Sequence, residues 1–416
     1  MKVLLFEQWH GGHYANYLNV LVPELARLSD KLVIALGENM RHSRQAIESW
    51  AARKNVEFAP TLPAVSPGLG MVDRFGAARN LLATLREVRP DFTLLPSADA
   101  QSTGTALIHA LGFDLRKRFG PIEGTLHYGY GDAAATAKER MKEVVYTQTY
   151  KRLPFESVNF VNFDYYEYAV RHRLFAPGRA RFVGDPVPQP PLIGQQAARK
   201  LLGLEGAGRY LGLLGSLDRR KAVPQLLAAF RSARLAADDR LLLAGRLDPE
   251  YARLIESSYA DLVREGRLVV MNRFLSDAEL ESGYEALDLA TVVYDRFPGL
   301  ASLALKAVAA GTPVIAHDFG WLRAAVRRFD IGTLTDVFDP AVFASALESA
   351  LDRQRLDRAS APLQRLLQFH TEKNFVAQMT RGVKQASGQA CGPVLDWDWV
   401  IQAVPADRPA RPLDLR

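Results

Sequence analysis

Three basic residues follow one apolar run in the second half of the sequence. The run reads YLGLLG over 210–215, and Arg219, Arg220 and Lys221 come just after it, before an amphipathic pattern up to residue 230. Cations between the end of a strand and the start of a helix suit a diphosphate, because they supply charge-assisted hydrogen bonds to phosphate oxygens. A solvated helix start is the alternative interpretation.

A second candidate anion site lies at residues 299–302, which read GLAS. The sequence predicts a helix over 303–310, with Gly311 as its stop, followed by a buried strand at 314–316. The unpaired N–H groups and the dipole of such a helix favour an anion. Ser302 is alternatively only the residue that caps the helix.

Lys306 lies one turn after Ser302 in this predicted helix. Side chains four residues apart are neighbours on a helix, so Lys306 is expected on the same face as the anion site. Two interpretations compete. Either the ammonium donates to a ligand, or the stem packs while the charged head stays in water.

Gly11 and Gly12 follow the first predicted strand and precede a helix. Paired glycines allow backbone N–H groups to approach a phosphate or sugar closely, and a tight turn is the alternative. The spacing is not G-x-G-x-x-G, so the fingerprint of a nicotinamide-binding protein is missing.

Strand-like and helix-like runs alternate along the chain, which is typical of parallel α/β layers. Strands are predicted near residues 2, 32 and 92 (KVLLF, LVIAL, FTLLP), and NYLNVLVPELARL has the spacing of an amphipathic helix. Five more strand-like runs follow residues 183–194, which carry four prolines and are typical of a linker. Ligands bind beyond the carboxyl ends of strands in open parallel sheets, so two such domains are expected to face each other across a cleft.

Composition limits the class of protein. The 416 residues include 52 Lys and Arg against 46 Asp and Glu, a mild basic excess that suits an anionic ligand, a nucleic acid or a membrane surface equally. The single cysteine, Cys391, indicates a reducing compartment. The first apolar run is too short for a signal peptide, and no run reaches the roughly 20 apolar residues of a membrane span. A cytoplasmic, soluble protein is expected.

These patterns resemble the GT-B glycosyltransferases, especially the family 4 retaining enzymes. The resemblance lies in GSLDRRKAVPQLLAAF, LLLAG and LDLATVVYDRFPGLASLALKAVAAGTPVIAHDFG, over about residues 205–350, and more weakly in GGHY and TLHYGYG of the first half. It implies an α/β fold of GT-B architecture with two Rossmann-like domains. The predicted boundaries are 1–190 for the acceptor side, 191–370 for the donor side, and 371–416 for a C-terminal helix and tail that returns toward the first domain.

The resemblance also implies a hexosyltransferase-like enzyme that moves a sugar from a nucleotide-activated donor to an acceptor hydroxyl, with retention and without a metal or other cofactor. Roles in catalysis fall on His127, Lys221 and Arg220. Donor binding falls on Gly12, Arg219, Gly245, Arg273, Phe274, Leu275, Gly299, Leu300, Ala301, Ser302 and Lys306. For His127 on the acceptor side, a structural histidine hydrogen-bonded in the core is the alternative.

The sequence departs from the family at four positions. Two glutamates eight positions apart are replaced by Pro298 and Lys306, an arginine by Ser216, and a glycine by Ala222. A lysine cannot replace a glutamate that accepts from ribose hydroxyls, because an ammonium only donates. A non-catalytic GT-B-like partner of a transferase and a sugar-nucleotide epimerase are therefore the alternative functions.

The expected partners are a nucleotide-sugar donor and a glycan, lipid-linked or small-molecule acceptor. Nucleic acid is not expected, because no basic and aromatic stripe accompanies the charge excess. Residues 137–152, AKERMKEVVYTQTYKR, suggest peripheral contact at the inner face of a membrane, with a solvated helix face as the alternative. The acidic DWD at 396–398 is expected to be a solvated turn in a Pro-rich tail rather than a metal site.

Overall fold

The computed structural model describes residues 1–9, 13–38, 44–63 and 71–405, and every structural statement concerns these residues. The first part of the chain forms a seven-stranded sheet in the order β3-β2-β1-β4-β5-β6-β7, with every neighbouring pair parallel. Its strands are β1 Lys2–Glu7, β2 Lys31–Leu36, β3 Val56–Phe58, β4 Phe92–Leu95, β5 Ile122–Leu126, β6 Ser157–Phe160 and β7 Ala180–Phe182.

Helices connect these strands and cover both faces of the sheet. They are α1 His13–Leu28, α2 Arg44–Ala51, α3 Met71–Val88, α4 Asp99–Ala110, α5 Leu115–Phe119, α6 Ala137–Tyr150 and α7 Phe163–Arg171, with a short 3₁₀ turn at Gly131–Ala133. Successive β1 side chains point to opposite faces, so Leu4 and Phe6 enter one core while Val3 and Leu5 enter the other. Burial on both faces explains why β1 is a continuous apolar run rather than an alternating one.

The second part of the chain forms a six-stranded sheet in the order β10-β9-β8-β11-β12-β13, again parallel throughout. Its strands are β8 Tyr210–Leu214, β9 Arg240–Ala244, β10 Leu268–Met271, β11 Leu289–Val292, β12 Val314–His317 and β13 Gly332–Thr335. Its helices are α8 Gln195–Leu201, α9 Val223–Ser232, α10 Pro249–Ser258, α11 Ala260–Arg264, α12 Asp277–Ala286, α13 Ser302–Ala309, α14 Gly320–Phe329, α15 Pro340–Leu351 and α16 Ala361–Phe369.

Three further helices follow, α17 Glu372–Met379, α18 Arg381–Ala386 and α19 Trp397–Ile401. The chain divides into two compact units, with 1–186 and 370–397 in unit 1, and 187–369 and the segment from 398 in unit 2. Within unit 1, Phe375 and Met379 of α17 and Val383 of α18 share a core with α1. Together with α1 they cover the face of the sheet to which Val3 and Leu5 point.

The predicted α/β class with two parallel sheets is confirmed. The predicted strands near residues 2, 32 and 92 are β1, β2 and β4, and the five later ones are β8 to β12. Strands β3, β5, β6, β7 and β13 were not predicted. The DWD segment also differs from the expected solvated turn, because it begins a short helix in which Trp397 is buried and stacks on Phe163 at 4.9 Å between ring centroids.

Candidate active site

Each sheet has one point where the strand order reverses direction. In unit 1 this point lies between β1 and β4, and in unit 2 between β8 and β11. The loops that leave the carboxyl ends of such strands run to opposite sides and open a crevice, which is where ligands bind in open α/β sheets. The residues that follow β8 and β11, and those that follow β1, β4 and the adjacent β5, are therefore the candidates to build the site.

Lys221 is the buried charge at the carboxyl end of β8. Its side chain is almost fully enclosed, with 3% of the residue exposed. The Nζ atom donates a hydrogen bond to the carbonyl of Leu214 at 2.7 Å and lies 6.0 Å from the centroid of the Tyr294 ring. Burial lowers the pKa of Lys221 to about 7, although the negative charge of Asp218 acts in the opposite direction and raises it. Among the described residues Lys221 forms no direct ion pair, and Asp218 is the nearby negative charge that favours its ammonium.

The backbone brings Lys221 to the loop that follows β11. Lys221 and Tyr294 form an antiparallel bridge, and the N–H of Asp295 donates to the carbonyl of Arg220 at 2.8 Å. The loop from Asp295 leads directly to the start of α13 at Ser302. The cation and the predicted anion-binding loop are thus neighbours in the fold, although more than 70 residues separate them in sequence.

Gly215 and Gly245 let the ends of β8 and β9 approach each other. Gly215 has φ 86° and Gly245 has φ 140°, conformations that favour glycine. A Cβ on Gly245 would lie 1.9 Å from the carbonyl oxygen of Gly215, whereas a Cβ on Gly215 would lie 3.8 Å from Lys221 Nζ. Gly245, predicted to bind the donor, therefore supports the turn beside Lys221 by close packing.

The N-terminus of α13 has no side-chain cap. Its N-cap residue is Ala301, and Ser302 is the first helical residue. The interpretation of Ser302 as the cap is therefore wrong, and the first N–H groups of the helix receive no cap from that side chain. Leu303 faces the carboxyl end of β8, since its methyl groups lie 3.7 and 3.8 Å from the Cβ position of Gly215.

Lys306 lies three residues after Leu303 on α13 and is partly exposed. Residues three apart share a helix face, so Lys306 lies on the side of α13 that faces the Gly215 turn. Its ammonium forms no hydrogen bond or ion pair within the described ranges.

The loop before α13 is packed tightly at Gly299. A Cβ at Gly299 would lie 2.8 Å from the ring of Phe297, and Leu300 is half-buried beside it. Gly320, at the start of α14, has φ 55°, and a Cβ there would lie 2.7 Å from the Cα of Pro298. Glycine at both positions therefore allows the loop to lie close to its neighbours.

Arg219 and Arg220 are exposed and form ion pairs with acids. The Arg219 guanidinium pairs with Asp248 at 3.4 Å and Glu250 at 2.9 Å, at the start of α10. Arg220 pairs with Asp218, and its nearest N–O distance is 2.7 Å. The structure thus buries one of the three predicted cations beside the α13 loop and engages the other two with acids at the surface.

The segment after β10 carries Arg273, Phe274 and Leu275, which were predicted to bind the donor. Arg273 pairs with Glu279 at 2.6 Å, and this pair lowers the pKa of the Glu279 carboxyl to about 2. Phe274 is 86% exposed, whereas Leu275 is buried. Leu275 anchors the segment in the core, and the neighbouring Phe274 ring lies in solvent. An exposed aromatic ring is a surface on which a flat base can stack.

A second polar cluster lies in unit 1, where His127 follows β5. The His127 Nδ1 atom lies 3.0 Å from Asp99 Oδ2, and the backbone N–H groups of His127 and Tyr128 also donate to Asp99. Both side chains are buried, and the His127 ring stacks on Tyr17 at 6.2 Å. Asp99 therefore fixes the orientation of the imidazole.

Glu7, at the end of β1, extends this cluster and was not predicted from the sequence. It is fully buried and accepts hydrogen bonds from Ser97 Oγ at 2.7 Å and from the N–H of Trp9 at 2.9 Å. Burial raises the pKa of Glu7 to about 8, opposed by these hydrogen bonds and assisted by the charge of Asp99. Glu7 is thus a neutral acid at pH 7.

Gly12, the predicted phosphate contact of the first half, lies outside the described residues. Within the described ranges, no group of three or more His, Cys, Asp or Glu side chains is arranged to hold a metal ion.

Comparison with known proteins identifies the second unit. Residues 208–353 match the family model described as glycosyl transferases group 1. This chain has the GT-B fold, and its residues 208–353 are similar to group 1 glycosyl transferases. The matched range contains every predicted donor-side residue from Arg219 to Lys306, so the recognition made from GSLDRRKAVPQLLAAF and the later motifs is confirmed.

The curated relatives match mainly over this domain. A D-inositol 3-phosphate glycosyltransferase of Corynebacterium diphtheriae is 31% identical over 186 residues, which cover 43% of this chain and 40% of the relative. The protein of the same name from Thermobispora bispora is 36% identical over 163 residues, 38% of each chain. The chain thus spans about two fifths of the length of these relatives.

Solved structures resemble the whole chain. The Anabaena protein HepE, in complex with UDP and glucose, has a TM-score of 0.63 and 14% identity, and the match covers 92% of this chain and 100% of HepE. Sucrose-phosphate synthase of Thermosynechococcus elongatus has a TM-score of 0.63 and 17% identity, with 92% and 98% covered. At these identities the likeness establishes the fold of both units.

Proposed function

We propose that this protein transfers a sugar from a nucleotide diphosphate sugar to an acceptor hydroxyl. The relatives of its group 1 glycosyl transferase domain are named glycosyltransferases, and the structurally similar HepE has been crystallised with UDP-glucose. The proposal extends this chemistry to the whole chain. The nucleotide, the sugar and the acceptor are left open.

The buried charge of Lys221 is the observation that carries the proposal. A buried ammonium without a direct ion pair is unfavourable unless it loses its proton or something anionic binds beside it. Lys221 lies at the end of β8, where the strand order reverses, and directly beside the loop that leads to α13. A diphosphate bound there would supply the missing negative charge, so we assign Lys221 to the donor diphosphate.

The start of α13 supplies the second part of the proposed anion site. Its first N–H groups are not capped by a side chain, and the helix dipole places partial positive charge there. Fixed donors of this kind stabilise the charge that develops on a departing diphosphate. We therefore propose a transfer that does not depend on a metal. Retention at the sugar is proposed from the resemblance to the family 4 enzymes alone. Activity unchanged by a chelator would support the first point, and NMR of the product anomer tests the second.

His127 and Asp99 are assigned to the acceptor in unit 1. Asp99 holds Nδ1, so Nε2 is the ring atom assigned to a hydroxyl of the acceptor. In this role Asp99 is a positioning residue, and His127 is the group that contacts substrate. Glu7 and Ser97 support the same end of the sheet by hydrogen bonds.

A nucleotide-sugar panel tests the proposed function. Thermal shift first identifies donors that bind, because a ligand of the folded state raises its apparent stability. Release of the nucleoside diphosphate, with and without candidate acceptors, then measures turnover. Lys221→Met is expected to bind the donor about 10- to 100-fold more weakly and to lose turnover. Arg253→Met, which changes an exposed cation of α10, is the matched control. Donor binding without turnover under any acceptor would instead favour a non-catalytic partner of a transferase.

Contact with a membrane would be peripheral. No helix in the described part of the chain is long and apolar enough to cross a membrane. We propose that a lipid-linked acceptor, if it is the substrate, is reached by contact of the surface of unit 1 with the bilayer.

A further inference from the structure

Helix α6 has an unusual distribution of apolar and charged residues. Its exposed apolar side chains are Met141, Val144 and Val145, with 66%, 61% and 52% of each residue exposed. At about 100° per residue these three lie within roughly one 100° sector of the helix. A surface helix normally turns such a sector toward the core, so this face is apolar where water is expected.

Cations flank the apolar sector on both sides. Arg140 borders it on one side, and Lys138 and Lys142 border it on the other, all three exposed. Lys151 and Arg152 follow at the C-terminal end of the helix and are also exposed. In the described part of the chain none of the five forms an ion pair with an acid, so their charges are available to an external anion.

Both acids of α6 are removed from this face. Glu139 is buried and accepts from the N–H groups of Ala135 and Thr136 at 3.0 and 2.9 Å, which closes the helix start. Glu143 is buried on the same side and accepts from Tyr165 Oη at 2.8 Å. The outer surface of α6 therefore carries positive and apolar side chains without an exposed acid.

We infer that the outer face of α6, formed by Lys138, Arg140, Met141, Lys142, Val144 and Val145, docks on an anionic lipid surface. The apolar centre enters the boundary between headgroups and acyl chains, and the flanking cations reach the lipid phosphates, which is how an interfacial helix binds. The three apolar side chains are aliphatic and few, whereas a stable protein interface buries about 800 Å² on each side and favours aromatic anchors. The face also lacks an exposed aromatic ring for stacking on nucleic-acid bases.

This inference deepens the peripheral contact proposed above but does not depend on sugar transfer. Vesicle binding is measured without donor or acceptor, so its failure and the failure of the enzymatic proposal are distinguishable. The location of the face in unit 1 is independent of the donor residues in unit 2.

Co-sedimentation of the full chain with vesicles tests the docking face. One set of vesicles is pure phosphatidylcholine, and the other contains 40% phosphatidylglycerol. We expect binding to the anionic vesicles only, falling steeply between low and high salt because surface charges are screened. The double substitution Lys138→Gln/Lys142→Gln should weaken binding about 25-fold, from the typical attraction of a cation near an anionic surface. Val144→Glu should abolish it.

Matched substitutions in unit 2 provide the controls. Val342→Glu changes an exposed valine of α15, with 47% of the residue exposed against 61% for Val144. Lys200→Gln/Arg253→Gln removes two exposed cations, and both control variants should bind like the wild type. All variants change exposed side chains, and equal melting temperatures show that they are folded. The salt dependence of the wild type is a second readout that needs no substitution.

Three results would overturn the docking proposal. They are no binding to anionic vesicles, equal binding to both vesicle types, and binding that the α6 variants and the controls lose equally. Retention on immobilised single-stranded DNA or polyglutamate without vesicle binding would assign the face to a polyanionic macromolecule instead, and would also reject the lipid surface.

Discussion

Replacing Lys221 by methionine separates the energetic penalty of the buried ammonium from its proposed use. The methionine side chain is unbranched, flexible and apolar, so it can follow the path of the lysine stem without a charge. If Lys221 is retained for an anionic ligand, the variant should be more stable than the wild type and should bind the donor less well. A lysine with a purely structural role predicts the opposite change in stability.

The magnitude follows from the pKa of Lys221, about 7 in the folded chain against an ordinary 10.5. At about 1.4 kcal/mol per pH unit this difference corresponds to about 5 kcal/mol. Between pH 7 and 10.5 the unfolded chain holds the proton more tightly, so stability rises with pH in this window and the penalty is greatest below pH 7. The carbonyl of Leu214 loses its donor in the variant, at about 1–3 kcal/mol. The net gain at pH 6 should be about 2–4 kcal/mol. Because the penalty falls to about 1 kcal/mol at pH 10, the gain should disappear between about pH 8 and pH 10.

Calorimetric titration with UDP-glucose tests whether the Lys221 ammonium binds the diphosphate. At pH 8 only about one tenth of Lys221 is protonated in the free protein, so binding of a diphosphate should take up about 0.9 proton, against about 0.1 at pH 6. Two buffers of different ionisation enthalpy report this uptake. Lys221→Met should show no uptake and about 10- to 100-fold weaker binding, which is the range for one charge-assisted hydrogen bond. The reasoning is refuted if the variant binds UDP-glucose like the wild type, or takes up the same proton.

Four further predictions concern single residues. Glu7→Gln should raise the free energy of unfolding by about 3–5 kcal/mol at pH 8 but little at pH 4.5. The pKa of Glu7 is 4.5 in the unfolded chain and about 8 in the folded one, so the wild type loses stability as the pH rises between these values. Urea unfolding at the two pH values measures the effect, and the same difference at both would contradict it. Asp99→Asn should lower the turnover number at least tenfold with little change in donor affinity, because the His127 ring loses the carboxylate that orients it. The test compares the turnover number from steady-state kinetics with the donor affinity from a separate binding measurement. Gly245→Ala should lower the free energy of unfolding by more than about 3 kcal/mol in the same assay, because its Cβ would lie 1.9 Å from the Gly215 carbonyl oxygen. Gly76→Ala, whose Cβ position has no atom within 4 Å, should leave the free energy of unfolding nearly unchanged. Lys306→Glu should weaken UDP-glucose binding about tenfold, because it places a like charge near the diphosphate, and unchanged affinity would remove Lys306 from the donor site.

The strands predicted from sequence share one property. Strands β1, β2, β8, β9 and β12 are continuous apolar runs, because helices cover both faces of each sheet. Strand β13, which reads GTLT, and strand β7, which reads ARF, were missed. They lie at sheet edges, are short and are partly exposed, so neither apolar length nor alternation distinguishes them from a loop.

The donor side was more predictable than the acceptor side for a physical reason. Lys221 and the GLAS segment belong to local strand-turn-helix patterns that a sequence displays directly. Asp99 meets His127 only because β4 and β5 are adjacent and parallel, and Glu7 joins them because β1 lies on the other side of β4. The signal that could have found both acids is their position immediately after apolar runs, at the carboxyl ends of neighbouring strands.

The two positions where the family has glutamates, Pro298 and Lys306, differ in their structural surroundings. Pro298 is fixed through its backbone, since its carbonyl accepts from the Trp321 N–H at 3.3 Å and Gly320 packs against its Cα. A proline there preserves the path of the loop while it removes a carboxylate. Lys306 changes a negative side chain to a positive one on the face of α13 that turns toward the Gly215 turn. Together the replacements make this end of the sheet more positive by three charges than two glutamates would, next to a lysine without a direct ion pair. If the proposed function holds, such a site keeps its attraction for a diphosphate but lacks the carboxylates that would accept from ribose hydroxyls. We therefore expect the departure from the family to act on donor selection more than on the neutralisation of the leaving group.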